Sequence, residues 1–200
     1  AKEFDDLEFV DLGGGFGIPY EKLNDQPRLD LVSLGKELDE VFKEFVTEYG
    51  KEITFKVEPG RYISAECSVL LGTVHAIKYN HEDKYAGTDI GFNVLQRPIM
   101  YDSHHDIEVY NDSEKVEDIT VVGNICESGD IIAKHRMCPE MHVGDTIGVL
   151  DAGAYGYCMA SNYNNRLRPA EILIRENGEV QLIREKDKLE DLLKGMKGLN

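Results

Sequence analysis

The feature that most constrains the fold is the order strand, glycine run, helix, strand within the first 60 residues. Residues 9–12 are mostly apolar and predict a short strand, which three glycines at 13–15 follow at once. Apolar residues spaced three and four apart over residues 31–49 predict an amphipathic helix. Residues 53–57 are mostly β-branched or aromatic and predict a buried strand. Such a βαβ unit implies parallel strands and a right-handed crossover.

A polar loop follows each of these two strands. The glycine run lets backbone N–H groups approach an anion closely, so it predicts a phosphate cradle, although a plain flexible turn fits equally well. The second strand ends at Glu58-Pro59-Gly60-Arg61, where the carboxylate suits a cationic ring nitrogen and the guanidinium suits a phosphate or carboxylate. A surface salt bridge is the alternative interpretation. Because parallel strands end at one sheet edge, we expect both loops in one site.

After about residue 65 the pattern changes to short strands between turn residues, which is typical of a β-barrel or sandwich. The predicted strands cover residues 69–78, 83–88, 107–110, 119–123, 131–137, 146–151, 170–175 and 180–184. The last two form a predicted hairpin, since Asn177-Gly178 suits a type I′ turn. Residues 187–196 predict a short closing helix. We therefore expect an α/β part over residues 1–65 and an all-β part over residues 66–200.

Composition excludes several functional classes. The net charge of −16 and a pI near 4.7 argue against nucleic acid or an anionic membrane surface as partners. No apolar run approaches the length of a membrane span, and no signal peptide opens the chain. Four cysteines without a CxxC pair or zinc spacing predict reduced thiols and a cytoplasmic protein. His104-His105 looks like a metal pair but lacks a third ligand nearby, so we expect a loop or packing role and no metal.

The β part carries three polar clusters that a simple barrel does not need. Arg97 and Tyr101 are four residues apart, so a guanidinium and a phenol come close together if this segment is helical. Cys126 and Glu127 place a thiol beside a carboxylate in a turn between strands. Tyr155 stands among small residues at the end of a predicted strand. Each cluster taken singly is more often structural than functional.

As an ordered set, these motifs resemble the diaminopimelate decarboxylases, in the alanine-racemase-like (fold type III) group of pyridoxal-phosphate enzymes. The motifs are GGGFGIPY at 13–20, EPGR at 58–61, RPIMY at 97–101, CESGD at 126–130 and DAGAYG at 151–156. The resemblance runs from residue 9 to about residue 174. It implies the end of a TIM-type βα barrel that binds pyridoxal 5'-phosphate (PLP), followed by a mostly antiparallel C-terminal β-barrel. It also implies a homodimer with shared active sites.

The resemblance implies roles for individual residues. The implied cofactor-binding residues are Gly13, Gly14, Gly15, Glu58, Gly60, Arg61 and Tyr155, with Glu58 on the pyridine nitrogen. The implied substrate-binding residues are Arg61, Arg97, Tyr101, Glu127 and Tyr155. Cys126 would return a proton to the substrate carbon across the dimer interface, and Glu127 would hold the distal ammonium. Family members carry the Schiff-base lysine and the ring-stacking histidine in an N-terminal region that precedes the matched part. We therefore expect this chain to be a fragment that is inactive alone.

The choice of substrate depends on one functional group. Diaminopimelate differs from ornithine and lysine in the second carboxylate at its far end, and Arg97 with Tyr101, helped by Arg61, supplies donors for that group. A site for a simple diamine precursor would leave this arginine unpaired, which costs several kcal/mol in order of magnitude. The predicted activity is decarboxylation of meso-diaminopimelate to L-lysine with release of CO2, in lysine biosynthesis.

Two alternatives stay open at this point. One is a related decarboxylase for ornithine, arginine or a carboxylated polyamine such as carboxynorspermidine. In the diamine enzymes an aspartate commonly follows the cysteine, whereas the longer Glu127 follows it here. The other is a non-catalytic homologue that acts as a binding partner, against which the intact set of functional residues argues.

Overall fold

The computed structural model describes residues 3–198 and contains, within that range, ten strands and four α-helices. The strands are β1 (Phe9–Asp11), β2 (Thr54–Lys56), β3 (Leu70–Asn80), β4 (Asp83–Thr88), β5 (Ile107–Tyr110), β6 (Val116–Val122), β7 (Ile131–Pro139), β8 (Thr146–Val149), β9 (Glu171–Ile174) and β10 (Val180–Arg184). The helices are α1 (Leu31–Tyr49), α2 (Gly60–Ser64), α3 (Arg97–Tyr101) and α4 (Leu189–Leu192). The strands form a parallel pair, a six-stranded sheet and a separate hairpin.

The N-terminal unit is the predicted βαβ arrangement. β1 and β2 pair in parallel, with Val10 opposite Phe55, so the predicted strand direction is confirmed. The Asp30 carboxylate caps α1 by accepting two backbone N–H groups of its first turn at 3.0 and 3.1 Å. The helix ends at Gly50, whose φ of 78° is the left-handed conformation that glycine adopts readily. Phe42 of α1 stacks on Phe55 at 3.9 Å between ring centroids, which fastens the helix to β2.

The six-stranded sheet has the order β5-β8-β3-β4-β6-β7. Neighbouring strands are antiparallel except β4 and β6, which are parallel. The sheet is therefore mixed. It is also nearly closed, because the outer strands β5 and β7 contact each other. The prediction of a mostly antiparallel β part is thus confirmed, and the parallel pair is a feature that strand patterns alone did not predict.

The hydrophobic core lies within this sheet. Side chains from the strands and from the segment before α3 pack together away from solvent. Those with the least exposure are Val74, Ala86, Leu95, Ile119, Val121, Ile132, Ala133, Met141, Ile147 and Val149. A smaller cluster of Ile18, Ala65 and Ala154 joins the glycine loop of the N-terminal unit to the β part. These two clusters hold the polar loops described below in place.

Several predicted boundaries need correction. β8 ends at Val149 and not at residue 151, because Asp151 adopts φ 57° and leaves the extended conformation. β6 begins at Val116, three residues earlier than predicted. The predicted closing helix over residues 187–196 is wrong in extent, since α4 covers Leu189–Leu192 alone.

The terminal hairpin of β9 and β10 is confirmed, but its predicted turn type is wrong. A type I′ turn needs positive φ at both central residues, and only Gly178 has one, at 81°. The Gly178 N–H donates to the Arg175 carbonyl at 2.8 Å, and the Arg175 N–H donates to the Glu179 carbonyl at 2.9 Å. This pattern is typical of a type I turn followed by a glycine bulge.

Across residues 3–198, no helix is both long enough and apolar enough to span a membrane.

Candidate active site

The glycine loop after β1 and the turn after β2 contact each other directly. The Glu58 N–H donates to the Gly13 carbonyl at 2.8 Å. A side chain at Gly14 would place its Cβ 2.9 Å from the Glu58 carbonyl oxygen, so this close approach requires glycine. Gly13 and Gly15 have φ values of 70° and 92°. The two loops therefore lie together at the carboxyl ends of β1 and β2.

The glycine loop has backbone donors that the rest of the described chain does not use. The Gly13 N–H donates to the Asp11 carboxylate at 2.8 Å. In contrast, no group within residues 3–198 accepts a hydrogen bond from the N–H of Gly14 or Gly15. Space for a Cβ is open at Gly15. Unpaired backbone N–H groups beside open space suit the oxygens of a phosphate, so the loop fits a phosphorylated cofactor.

Two guanidinium groups converge on the ring of Tyr20. The Cζ atom of Arg97 lies 4.7 Å from the ring centroid, and that of Arg61 lies 6.0 Å from it. Arg61 also lies 5.8 Å from the ring of Tyr155. Within residues 3–198, no carboxylate forms an ion pair with Arg61 or Arg97, whereas other arginines such as Arg28 do pair. In a protein of net charge −16, two adjacent guanidiniums without a counter-ion mark an anion-binding site.

The Tyr20 hydroxyl is a second unsatisfied group in this cluster. Its oxygen is buried, and no partner with hydrogen-bond geometry lies beside it in the described chain, although the Arg97 guanidinium is close. Burial raises the pKa of Tyr20, and the positive charges of Arg97 and Arg61 oppose that effect. The hydroxyl lies beside a guanidinium that can only donate, so its own proton has no acceptor within residues 3–198 and is available to a ligand.

Arg97 is the first residue of α3, so the helical segment that the expected proximity of Arg97 and Tyr101 required is present. Its side chain is 3% exposed, and its Nη1 lies 2.9 Å from Nε2 of His105. Tyr101, the expected neighbour, is 60% exposed and makes no hydrogen bond to Arg97 within residues 3–198. The structure therefore does not bring this predicted guanidinium–phenol pair together, because Arg97 turns inward while the phenol faces solvent.

The loop that carries Tyr155 is held by an ion network. Asp151 and Tyr155 both have positive φ, at 57° and 58°. The buried Asp151 carboxylate accepts from Lys22 at 2.5 Å, and Lys22 also pairs with Glu66 at 2.8 Å. Arg28 binds both oxygens of Glu66 at 2.7 Å. Arg28 and Lys22 lower the pKa of Glu66 to about 2. The network ties the Tyr155 loop to the segments that follow β1 and β2, and thus holds Tyr155 beside Arg61.

The Cys126 loop forms a separate group of polar residues. Cys126 is exposed, with its Sγ 3.9 Å from the Asn164 side-chain oxygen. The Tyr163 hydroxyl donates to Glu127 at 3.1 Å. The buried Asp130 carboxylate accepts backbone N–H groups at 2.7 and 3.1 Å and fixes the end of the loop. Within residues 3–198, no hydrogen bond or ion pair joins this loop to the arginine cluster.

Sequence analysis missed three polar residues that the structure places at these sites. Tyr20 is the last residue of the GGGFGIPY motif, and that position was the available signal. For His105 we expected a loop or packing role, and its full burial agrees with packing, but its hydrogen bond with Arg97 was not predicted. Tyr163 lies outside every motif, and no sequence signal connects it to Glu127. His104 bonds Asp106 at 2.8 Å, and no cluster of three metal-ligating side chains occurs in the described chain.

The glycine loop with unused backbone N–H groups and the neighbouring arginines are both suited to bind anions, and both lie next to the nearly closed sheet. Residues 21–153 match the family model of the pyridoxal-dependent decarboxylases, C-terminal sheet domain. The chain belongs to this family.

Several diaminopimelate decarboxylases are among the proteins that this chain resembles. The chain is 44% identical to that of Methanothermobacter thermautotrophicus over 95% of its own length and 44% of the relative's. It superposes on the crystal structure of diaminopimelate decarboxylase from M. jannaschii with a TM-score of 0.88 and 35% identity, covering 96% of this chain and 43% of that one. The enzyme from Helicobacter pylori, solved as a complex with L-lysine, gives a TM-score of 0.82 and 34% identity, covering 94% and 44%. The chain thus spans about half the length of the relatives that it matches.

Proposed function

We propose that the full-length protein is a PLP-dependent decarboxylase that converts meso-diaminopimelate to L-lysine and CO2, a step of lysine biosynthesis. The observation that carries the proposal is the cluster around Tyr20, where two arginines lack a carboxylate partner within residues 3–198 and the buried Tyr20 hydroxyl, beside the Arg97 guanidinium, has no acceptor there for its proton. The names of the relatives support the same activity.

The residues present fit PLP. The unpaired N–H groups of Gly14 and Gly15 would bind its phosphate, with Arg61 close by. Glu58, whose carbonyl accepts from the Gly60 N–H at 2.8 Å, would direct its carboxylate to the pyridine nitrogen and keep that nitrogen protonated. When bound, PLP supplies an electron sink for the pair that is released as CO2 leaves. Tyr155, held by the Asp151 network, would pack against cofactor and substrate.

The arginine cluster would bind the far end of the substrate. Arg97 is a buried cation whose neighbours are a neutral ring nitrogen and the face of Tyr20, so a carboxylate would supply its missing counter-ion. Arg61 lies on the same ring and would share that carboxylate. We propose that Tyr101, the last residue of α3, completes the subsite from its exposed position.

The Cys126 loop would serve a second subunit. Cys126 is proposed to deliver a proton to the substrate carbon after CO2 leaves, and Glu127 to bind the distal ammonium. The loop makes no hydrogen bond or ion pair to the arginine cluster within residues 3–198, which supports a homodimer in which each subunit completes the other's site. Tyr163 donates to Glu127 and would fix the direction of that carboxylate.

The proposed organisation follows from the same arrangement. Residues 1–65 would form the end of a TIM-type PLP-binding barrel, and residues 66–200 the C-terminal β domain. The parallel β1–β2 pair with α1 on it supports the first part. Four free cysteines support a cytoplasmic location.

The test is kinetic and uses the full-length protein. Arg97→Ala should lower kcat/KM for diaminopimelate roughly tenfold to a hundredfold, because a hydrogen bond to a charged group contributes about 1.5–3 kcal/mol. The matched control is Arg175→Ala, since Arg175 lies in the terminal hairpin and pairs with Glu179. Lysine and CO2 are measured together. Turnover of ornithine in preference to diaminopimelate would reject the proposed substrate, and absence of any decarboxylation would reject the proposed function.

A further inference from the structure

His105 is fully enclosed and contacts Arg97 and Tyr20 of the arginine cluster and the backbone of Leu150, just after β8. Its exposure is 0%. Nδ1 lies 2.7 Å from the carbonyl oxygen of Leu150, and Nε2 lies 2.9 Å from Nη1 of Arg97. The ring of Tyr20 meets the imidazole edge-on, with 5.2 Å between the centroids. Both ring nitrogens are therefore engaged, and the imidazole connects Arg97 to the end of β8.

The two partners of His105 require the same tautomer. A guanidinium nitrogen donates only, so Nε2 must accept from Arg97. A carbonyl oxygen accepts only, so Nδ1 must carry the proton and donate it to Leu150. The arrangement thus needs a neutral imidazole with its proton on Nδ1. An imidazolium would instead turn an N–H toward the Arg97 guanidinium and repel it.

The surroundings keep the imidazole neutral. Burial lowers the pKa of His105 to about 4, and the positive charges of Arg97 and Arg136 act in the same direction, as does His104. The hydrogen bond to the Leu150 carbonyl opposes this effect without cancelling it. At neutral pH, Nε2 therefore carries the lone pair that Arg97 requires.

We propose that His105 is a positioning residue that sets substrate specificity: it holds the Arg97 guanidinium in the orientation that receives the distal carboxylate. The inference rests on the proposed function, because it assumes that Arg97 binds this carboxylate. An arginine side chain has four rotatable bonds, and a fixed acceptor removes the freedom that binding would otherwise have to remove. The guanidinium also lies over the ring of Tyr20, with 4.7 Å between Cζ and the ring centroid, so Tyr20 and His105 restrain it from two sides.

Two substitutions separate the two hydrogen bonds. His105→Asn places an amide near the position of Nδ1, so it keeps a donor to Leu150 and removes the acceptor for Arg97. His105→Gln extends its amide oxygen toward the position of Nε2, so it keeps the acceptor and loses the anchor. Both residues are smaller than histidine, so the pair is matched for the loss of ring packing.

The readout is a comparison of two inhibitors of the full-length enzyme. Decarboxylation at one end of diaminopimelate leaves the amino-acid group at the other end intact, so lysine retains the distal carboxylate. Cadaverine is lysine without that carboxylate. The ratio of the two inhibition constants therefore measures recognition of the carboxylate, and general damage to the fold cancels in it.

We expect His105→Asn to reduce the preference for lysine over cadaverine roughly tenfold, while His105→Gln keeps it within about threefold of the unmodified enzyme. In an Arg97→Ala background, His105→Asn should change the ratio no further, because the two residues act through one contact. An equal change in both His105 variants, or an additive change in the double variant, would overturn the positioning role. If the unmodified enzyme decarboxylates diaminopimelate but neither variant alters the ratio of the two inhibition constants, the positioning role of His105 is wrong and the proposed function still stands. Unmodified enzyme without turnover of diaminopimelate would overturn the proposed function as well.

Discussion

The β1–α1–β2 unit and the six-stranded sheet differ in how they bury their apolar residues. Ile147, on β8 of the sheet, is 0% exposed, and its neighbours in the core are buried to a similar degree. No residue of α1 is fully buried, although the helix has a clear apolar face; Val41, for example, is 59% exposed. The sheet therefore contains its own core, whereas the N-terminal unit leaves apolar surface uncovered in this chain.

This difference in burial means that the two halves of the candidate site are supported unequally. The sheet fixes α3, the Cys126 loop and the end of β8 through its own packing. The glycine loop lies on the unit that is poorly covered, and a sheet of two strands is marginally stable by itself. Its attachment to the sheet relies on the small cluster around Ala65 and on the ion network of Lys22, Glu66 and Asp151.

The largest predicted effect lies in the sheet. Ile147→Ala in the 200-residue chain should lower the free energy of unfolding by about 2–5 kcal/mol, because it removes buried methyl groups and leaves a cavity. Val41→Ala in α1 should change it by less than about 0.5 kcal/mol, as is usual at an exposed position. Urea unfolding followed by far-ultraviolet circular dichroism measures both values. Comparable losses would show that α1 is covered in solution and that the contrast between the two regions is wrong.

A smaller effect is predicted where the two regions meet. Glu66→Gln removes the carboxylate that Arg28 and Lys22 bind. It should lower the free energy of unfolding by about 1–2 kcal/mol at neutral pH, and not by more, because both ion pairs are partly exposed to solvent. The pKa of Glu66 falls from its usual 4.5 to about 2 in the folded protein, so its ionised form favours folding. The stabilisation by ionised Glu66 is fully present above the pKa of the unfolded state. It disappears as the pH falls through the pKa of Glu66 in the folded protein.

The measurement for Glu66 is the difference in unfolding free energy between the unmodified chain and Glu66→Gln as a function of pH. The difference should be constant above pH 4.5 and vanish near pH 2, as the pKa values of the two states require. The control is Glu179→Gln, which alters a long 3.9 Å contact with Arg175 in the terminal hairpin and should give no such pH dependence. A difference that is independent of pH down to pH 2 would show that the network does not form in solution.

Sequence reasoning succeeded where the signal is local and periodic. The spacing of apolar residues predicted α1 and the parallel β1–β2 pair, and turn residues placed the strands to within a few positions. It failed where distant residues decide the outcome. Arg97 and His105 are only eight positions apart, but their pairing depends on how α3 packs against the distant strand β7. The hydrogen bond from Tyr163 to Glu127 spans 36 positions. Local spacing favoured Tyr101 instead, because helix periodicity shows which residues are adjacent but not which side faces the core.

The smallest predicted effect tests whether the two regions unfold together, and it uses two glycines of one helix segment. Gly50 ends α1 at φ 78°, and a Cβ there would meet no atom within 4 Å, so Gly50→Ala adds only backbone strain of about 1 kcal/mol. Gly35 lies inside α1, also with open space around it, so Gly35→Ala should stabilise the helix by about 0.5–1 kcal/mol. Hydrogen exchange should therefore speed up in α1 for the first variant and slow down for the second. Because the helix contributes little to the sheet's core, amides of β3 and β8 should exchange as in the unmodified chain in both cases. If the exchange rates of β3 and β8 also rise in the first variant and fall in the second, α1 and the sheet form one cooperative unit. The glycine loop would then be as stable against local unfolding as the arginine cluster.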